Sequence, residues 1–263
     1  MAKQTPYLPI QVGKALSSED LGIQGDNVGD NISSKNVSYC ELTGMYWAWK
    51  NLSGVDAIGL CHYRRYFDFH KQCRSFLPFD SFETNSFENL KLNLPEKILT
   101  HLNDGYVIVP QKNTLGITLG VQYCLIHNSA DLQIMEEVIK DSCDKRYIDA
   151  FRYVIHGNNK IYPFNMFIMP WAIYDKYCRW LFMILEKIEQ KIDIVNYNSY
   201  QKRVYGFMGE RLLNIFLYAE QLKVKQYPII YVNDSKLNIG SLENIGRNVL
   251  KNLNVFLYKI LYY

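Results

Sequence analysis

The sequence predicts an α/β protein, with a mostly parallel sheet flanked by helices and a C-terminal half that is largely helical. Short apolar runs typical of buried strands alternate with longer segments in which apolar residues recur every three or four positions. This alternation favours parallel strands that are connected by helices. No repeat and no shift in composition divides the 263 residues, so we expect one domain over 1–263.

The predicted elements follow one another along the whole chain. An extended segment at 7–16 is followed by a loop rich in Gly, Asn, Asp and Ser at 22–36. Strand-like runs lie at 56–67, 104–112, 161–170 and 226–232. Helical periodicity is present at 37–52, just after Pro95, and at 121–143, 147–157, 171–192 and 204–222. The segment 171–192 has the most regular helical pattern of these.

The charge and aromatic content narrow the classes of ligand. The formal net charge is only +3, so the overall charge gives no support for a nucleic-acid partner, and we expect none. Aromatic residues make up 14% of the chain, including 21 Tyr. Such a composition suits the binding of sugars or nucleobases, and it equally suits a core that is rich in tyrosine.

Cysteine and histidine usage predicts a cytoplasmic protein without a structural metal. The six Cys form no CxxC pair, and the five His also lack the spacing of metal ligands. We therefore expect reduced, buried thiols. The first residues contain no apolar core of a signal peptide, and no apolar stretch reaches the roughly 18 residues of a membrane span.

A cationic group follows the strand-like run at 55–61. His62, Arg64 and Arg65 come directly after it, where ligands bind in open α/β sheets. Guanidinium groups offer forked donors that suit phosphate oxygens, so we expect a diphosphate to bind here. The alternative is that the two arginines pair with surface acids such as Asp68.

The loop at 25–36 immediately precedes a predicted helix and is a second candidate for the donor site. Asp30, Asn31, Ser33 and Lys35 could bind phosphate or sugar hydroxyls there, because a helix N-terminus favours anions. A Gly/Asx loop of this kind also commonly does no more than cap a helix.

Two later segments each contain a polar residue in an apolar setting. Asn165 is the hydrogen-bonding side chain of the strand-like run 162–169, where it could bind a substrate hydroxyl or a neighbouring backbone group. Glu210 follows Gly209, and we expect it in the first turn of a helix, where it could act as a general base. Alternatively, Glu210 pairs with Arg203 or Arg211.

The C-terminal residues 240–263 have a basic, amphipathic and helical pattern. Such a helix could lie on the anionic inner face of the cell membrane. A last helix packed on the core would give the same pattern.

Several of these segments together resemble the bacterial glycosyltransferases that are grouped as domain of unknown function 4422, over roughly Tyr7 to Tyr231. The segments that carry the resemblance are GDNISSKNVSYCELTGMYWAWKN, IGLCHYRRYF, YPFNMFIM, YDKYCRWLFMILEKIE and RVYGFMGERLLNIFL. The resemblance implies a GT-A-like, Rossmann-related fold. It also implies transfer of a hexosyl unit from a nucleotide sugar to a lipid-linked glycan, in the synthesis of capsule, exopolysaccharide or O-antigen. Some members transfer galactofuranose, so UDP-galactofuranose or UDP-galactose is the expected donor.

The resemblance also implies roles for individual residues. GT-A enzymes usually hold a divalent metal on an acidic DxD motif at a strand end, and here the corresponding segment is HYRR. We expect Arg64 and Arg65 to neutralise the diphosphate without a cofactor, with a metal such as Mn²⁺ as the alternative. Asn165 matches an Asn of the sugar pocket in galactosyltransferases related to glycogenin.

The working hypothesis is therefore a glycosyltransferase with Glu210 as its base and with Arg203 and Arg211 on the acceptor side. As we understand the family, a strand that ends in a Thr-His pair precedes the segment at 7–13, and we expect this chain to lack it. A non-catalytic carbohydrate- or lipid-binding subunit is the alternative hypothesis. A nucleotidyltransferase or a phosphatase would need an acidic metal-binding cluster, which the sequence does not show.

Overall fold

The computed structural model describes residues 6–71, 73, 81–84, 90 and 92–232, and it describes the backbone alone for 81–84. The amphipathic segment 240–263 lies outside the described residues. Within them, the strands are β1 (Ile10–Gln11), β2 (Gln24–Gly25), β3 (Ala57–Leu60), β4 (Arg65–Phe67), β5 (Ser81–Thr84), β6 (Val107–Pro110), β7 (Asn113–Thr114), β8 (Lys160–Ile161), β9 (Phe167–Pro170), β10 (Val224–Tyr227) and β11 (Ile229–Val232). The α-helices are α1 (Asn36–Tyr39), α2 (Leu42–Asn51), α3 (Glu96–Asn103), α4 (Leu119–Ile126), α5 (Ser129–Ser142), α6 (Lys145–Phe151), α7 (Trp171–Glu189) and α8 (Val204–Ala219).

The central sheet has four strands in the order β10-β6-β9-β3. β10 runs parallel to β6, whereas β9 runs antiparallel to both β6 and β3. Three of the four strands of this sheet therefore point in one direction, as expected, while β9 is reversed between β6 and β3, and the fold is mixed α/β. The helices between β6 and β9 return the chain to the edge at which β6 ends, so β9 must start there and run in the opposite direction.

A second sheet continues from the end of β3. Its order is β4-β11-β5, with β11 antiparallel to β4 and parallel to β5. The predicted strand at 56–67 is thus two strands in two sheets, separated by a turn at 62–65. In this turn the His62 N–H donates to the Arg65 carbonyl oxygen and the Arg65 N–H donates to the His62 carbonyl oxygen. This turn brings the cationic residues to the junction between the sheets.

The helical second half is confirmed, and it forms most of the core. The buried face of α7 recurs at helical spacing: Tyr174, Tyr177, Cys178, Leu181, Ile184, Leu185 and Ile188. These side chains pack in one cluster with α8, α5, α6 and the sheet residues Val107, Val109 and Phe167. Each fully buried large apolar side chain contributes roughly 1.5–3 kcal/mol relative to exposure. Among the helices that the structure describes, none combines the length and apolarity needed to cross a bilayer.

Two details differ from the prediction in ways that matter for the site. The predicted helix 37–52 is divided into α1 and α2 at Cys40, whose φ of 52° is unusual for a residue with a side chain. The thiols are free, as expected, but of the six Cys only Cys178 is buried, and Cys124 is exposed. Cys124 lies on α4, which presents this side to solvent.

Candidate active site at the sheet edge

The ends of four strands place polar residues along one edge of the central sheet, which we call the carboxyl edge. Leu60, at the end of β3, pairs with Phe167 at the start of β9, while Tyr227 at the end of β10 pairs with Pro110 at the end of β6. The segment that follows β3 and the segment that precedes β9 therefore meet at this edge. They contain His62–Arg65 and Phe164–Asn165, respectively.

His62 joins these two segments directly. Its Nε2 lies 2.6 Å from the backbone oxygen of Phe164. Because a carbonyl oxygen only accepts hydrogen bonds, this nitrogen carries a hydrogen and donates. His62 is thus engaged with the protein at Nε2, and it holds the turn after β3 against the turn before β9.

The two adjacent arginines have different surroundings. The Arg65 guanidinium carbon lies 4.5 Å from the ring centroid of Phe164 and 5.6 Å from that of Tyr231. Its Nε is buried and has no hydrogen-bond partner among the described residues. Arg64 is exposed beside Tyr63, which is itself 67% exposed. Arg65 is therefore the arginine that belongs to the interior of the site.

Asp68, the acid considered as an alternative partner of Arg64 and Arg65, has contacts of its own. Asp68 is buried, accepts a hydrogen bond from the His70 N–H at 3.0 Å, and lies 3.8 Å from the Lys71 ammonium. The salt bridge observed for this carboxylate is with Lys71. Arg65 makes cation–π contacts with the rings of Phe164 and Tyr231.

Asn165 lies in a strained turn and not in the strand, because β9 starts at Phe167. Phe164 and Asn165 have φ values of 72° and 54°, in the left-handed region that disfavours a bulky side chain such as Phe164. The Asn165 side chain is completely buried, and its Nδ2 donates to Glu41 Oε1 at 2.8 Å. Its Oδ1 is buried without a hydrogen-bond partner in the described part of the chain. A buried acceptor without a donor costs about 1–3 kcal/mol, which is a reason to expect a ligand donor here.

Glu210 stabilises this turn. Its Oε1 accepts the Phe164 backbone N–H at 2.6 Å, and its Oε2 accepts Arg211 Nη1 at 2.8 Å. The expectation that Glu210 lies in the first helical turn is wrong, because α8 already begins at Val204. The helix continues through Gly209, and the absence of a side chain there lets α8 pack closely on Leu42, because a Cβ would lie 3.0 Å from Leu42 Cδ1.

Arg203 and Arg211, the two arginines expected on the acceptor side, differ in how far they are buried. Arg211 is 3% exposed, and besides Glu210 it donates to the Phe207 carbonyl oxygen and to Gln122 Oε1. Arg203 is exposed, and its Nε donates to Cys40 Sγ at 3.4 Å. Burial raises the pKa of the Cys40 thiol, and the hydrogen bond from Arg203 opposes this shift. Arg203 alone of this pair is accessible from solvent.

The loop residues expected on the donor side are mainly tied to the protein itself. Asp30 is held by Asn51 at the last residue of α2, about 15 Å of helix away from Glu41, which precedes α2. Asn31 accepts the Ser33 N–H, and the Ser33 hydroxyl donates to the buried Asp26 at 2.5 Å. The remaining residue, Lys35, forms a 2.6 Å salt bridge with Glu189. The structure does not bring Asp30 to the carboxyl edge.

Glu41 is the site residue that the sequence analysis missed. It immediately precedes α2 and is half-buried, and its carboxylate accepts the Asn165 side-chain amide. An acid directly before an apolar helical pattern is a weak signal that also fits an ordinary helix start. Its contact with a residue 124 positions away depends on the tertiary fold, which the sequence pattern did not reveal.

The donor set at this edge does not fit a divalent metal. Glu41 and Glu210 are engaged with the turn at 164–165 and with Arg211, and Arg65 and His62 bring donors to the same place. In the ranges that the structure describes, no three His, Cys, Asp or Glu side chains are grouped as metal ligands. The mechanism proposed below therefore assigns no role to a metal.

The fold and the site define a mixed α/β protein in which buried hydrogen-bonding groups that lack partners among the described residues lie at strand ends, where open α/β sheets bind their ligands. The chain belongs to the family described as domain of unknown function (DUF4422), whose model matches residues 1–221. The solved apo structure of the bifunctional glycosyltransferase WbbM is similar, with a TM-score of 0.81 and 32% sequence identity. The similarity covers 90% of this chain and 44% of that one, so this chain spans less than half the length of WbbM. A search of curated proteins found no match.

Proposed function

We propose that this protein is a GT-A-like glycosyltransferase that moves a hexosyl unit, galactofuranose or galactose, from a UDP-sugar to a lipid-linked glycan acceptor. The products would serve capsule, exopolysaccharide or O-antigen synthesis. The similarity to part of a bifunctional glycosyltransferase and the membership in DUF4422 support transfer of a glycosyl group in general. The choice of sugar and acceptor rests on the family resemblance of the sequence.

One observation carries the proposal: the buried donor Arg65 Nε and the buried acceptor Asn165 Oδ1, which lack partners in the described structure. Both lie beside Phe164, at the carboxyl edge. A ligand with both an anionic group and hydroxyls would satisfy them together. A nucleotide sugar combines a diphosphate with sugar hydroxyls, so we assign the diphosphate to Arg65, with Arg64 and His62 nearby, and the sugar to Asn165.

A release assay tests this proposal. Purified protein is incubated with UDP-galactose or UDP-galactofuranose, and free UDP is measured. Slow UDP release, with water as acceptor, supports the transferase. A thermal shift with these donors but no release would instead support the non-catalytic carbohydrate-binding subunit. Neither binding nor release would contradict the proposed substrate class.

The proposal includes cytoplasmic localisation and contact with an anionic membrane surface through residues 240–263. Their amphipathic and basic pattern supports this part. Co-sedimentation of the full chain with vesicles that contain phosphatidylglycerol, but not with neutral vesicles, is the expected result. Equal recovery with both kinds of vesicle would contradict it.

A further inference from the structure

Two carboxylates flank the turn at 164–165, and their surroundings differ. Glu210 has a strong donor on each oxygen, namely the Phe164 N–H and the Arg211 guanidinium. Both of its oxygens are therefore already engaged by donors of the protein. Glu210 thus has the contacts of a group that holds the turn in place.

Glu41 keeps one oxygen available. Its Oε1 accepts the Asn165 amide at 2.8 Å, and within the described ranges no residue donates to Oε2. Its side chain is half-buried, so that solvent and a bound molecule can reach it. A carboxylate that is fixed by one oxygen and open at the other has the geometry of a general base.

The backbone around Glu41 is built to hold this position. Cys40, with its φ of 52°, breaks the helix just before Glu41 and so turns the chain into α2. Gly206 lets α8 approach this break, because a side chain there would lie 3.0 Å from Cys40 Sγ. Arg203 completes the arrangement through its hydrogen bond to the same sulfur. Close packing of α8 on this junction therefore fixes the carboxylate beside the buried amide.

We propose that Glu41 is the general base of the reaction and that Glu210 is a positioning residue that holds Asn165. This inference rests on the proposed function and applies if transfer inverts the anomeric configuration. The acceptor hydroxyl oxygen forms the bond to the anomeric carbon while the bond from that carbon to the diphosphate oxygen breaks. The electron pair leaves with UDP, and the hydroxyl proton passes to Glu41 Oε2 and then to water.

The test compares three variants in the UDP-release assay. Glu41→Gln keeps an oxygen for the Asn165 amide but cannot take a proton, so turnover falls by about 100-fold or more while the donor-induced thermal shift remains. Its rate also loses the decline at acidic pH that a carboxylate base gives the wild type. Glu210→Gln weakens the hydrogen bonds that hold the turn at 164–165, so KM rises. Its turnover still declines at acidic pH. Glu137→Gln, at an exposed site on α5, is the matched control and keeps wild-type kinetics.

Each outcome decides the assignment. A Glu41→Gln turnover within twofold of the wild type would overturn the base role of Glu41. If the turnover of Glu210→Gln no longer declined at acidic pH, Glu210 and not Glu41 would be the general base, and the proposed roles of the two residues would be overturned. Absence of UDP release by the wild type with both donors would overturn the proposed transferase itself, and the base assignment with it.

Discussion

Asn165 connects the strained turn, the two carboxylates and the proposed ligand. Its side chain is completely buried, its amide hydrogen contacts Glu41, and its carbonyl oxygen has no partner among the described residues. Asn tolerates the left-handed backbone better than most residues, which explains its place at a φ of 54°. The neighbouring Phe164 is held in the same region by its hydrogen bond to Glu210. The buried side-chain carbonyl oxygen of Asn165 is the group that we propose accepts a hydrogen bond from a sugar hydroxyl.

Replacement of the amide tests this role. Asn165→Asp keeps the tolerance for the left-handed backbone but places a carboxylate against Glu41, so we expect a loss of about 1–3 kcal/mol of stability at pH 7.5. The loss shrinks toward pH 5, because a protonated carboxyl can donate to its neighbour. Thermal unfolding at the two pH values measures both effects. Asn196→Asp, at an exposed loop position, is the control and should change little. A variant as stable as the wild type at pH 7.5 would show that the Glu41 contact is unimportant.

The sequence predicted which polar residues lie at the sheet edge better than it predicted the contacts that these residues make. A strand that ends before His62 and Arg65 predicted their place at a sheet edge, because ligand sites follow strand ends. The pairing of Asn165 with Glu41 could not be predicted, since it depends on left-handed backbone at Cys40 and Phe164, neither of which is Gly. For Asp30, the loop composition was misleading, because the loop backbone at this residue is bound by the Asn51 side chain of the protein itself.

α8 is the element that connects the site to the core. Its middle carries Glu210 and Arg211, and its C-terminal end is fastened by Glu220. The Glu220 carboxylate accepts the Tyr147 hydroxyl at 2.6 Å, forms a salt bridge with Lys176, and lies 3.3 Å from the Arg146 guanidinium. These contacts join α8 to α6 and α7. We therefore expect Glu220 to stabilise the helix packing that holds the site.

The pH dependence of this contact has a definite sign. Burial alone would raise the pKa of Glu220, but the hydrogen bonds from Lys176 and Tyr147 outweigh burial and lower it below the ordinary 4.5. A lowered pKa in the folded state gives stability that is complete above pH 4.5 and lost as the pH falls through the folded-state pKa.

Glu220→Gln should therefore reduce the free energy of unfolding at pH 7 by about 1 kcal/mol, since the half-exposed Lys176 and Arg146 lose a charged partner and the buried Tyr147 hydroxyl loses a charged acceptor. The variant should also lose less stability than the wild type between pH 5 and 3. Urea unfolding at several pH values measures both effects, with Glu137→Gln as an exposed control. Parallel pH profiles for wild type and variant would contradict this account.

Among the elements, helices were easier to predict than strand directions. The regular apolar spacing of α7 and α8 is a local property, and both helices occur where the pattern indicated. The direction of β9 depends on the turn at 164–165 and on the edge to which α4, α5 and α6 return the chain. Alternating helices and strands therefore indicated the α/β class correctly but not the antiparallel position of β9.

For the molecule as a whole, the central claim is that cationic residues at the carboxyl edge hold the diphosphate of a nucleotide sugar without a metal. Arg65 is the residue on which this claim depends most, because it makes cation–π contacts with Phe164 and Tyr231 and its buried Nε has no acceptor among the described residues. Lys keeps the charge but lacks the forked donors of a guanidinium. Arg65→Lys is therefore a sharper probe than removal of the side chain.

The most direct test is the dissociation constant of UDP-galactose and UDP-galactofuranose, measured by calorimetry in excess EDTA. The wild type and the control Arg152→Lys, at an exposed helical position, should bind at least one donor with the same affinity. Arg65→Lys should bind that donor at least about tenfold more weakly, a difference of about 1.4 kcal/mol. Equal affinities for all three proteins, or binding that appears only after Mn²⁺ is added, would contradict the claim.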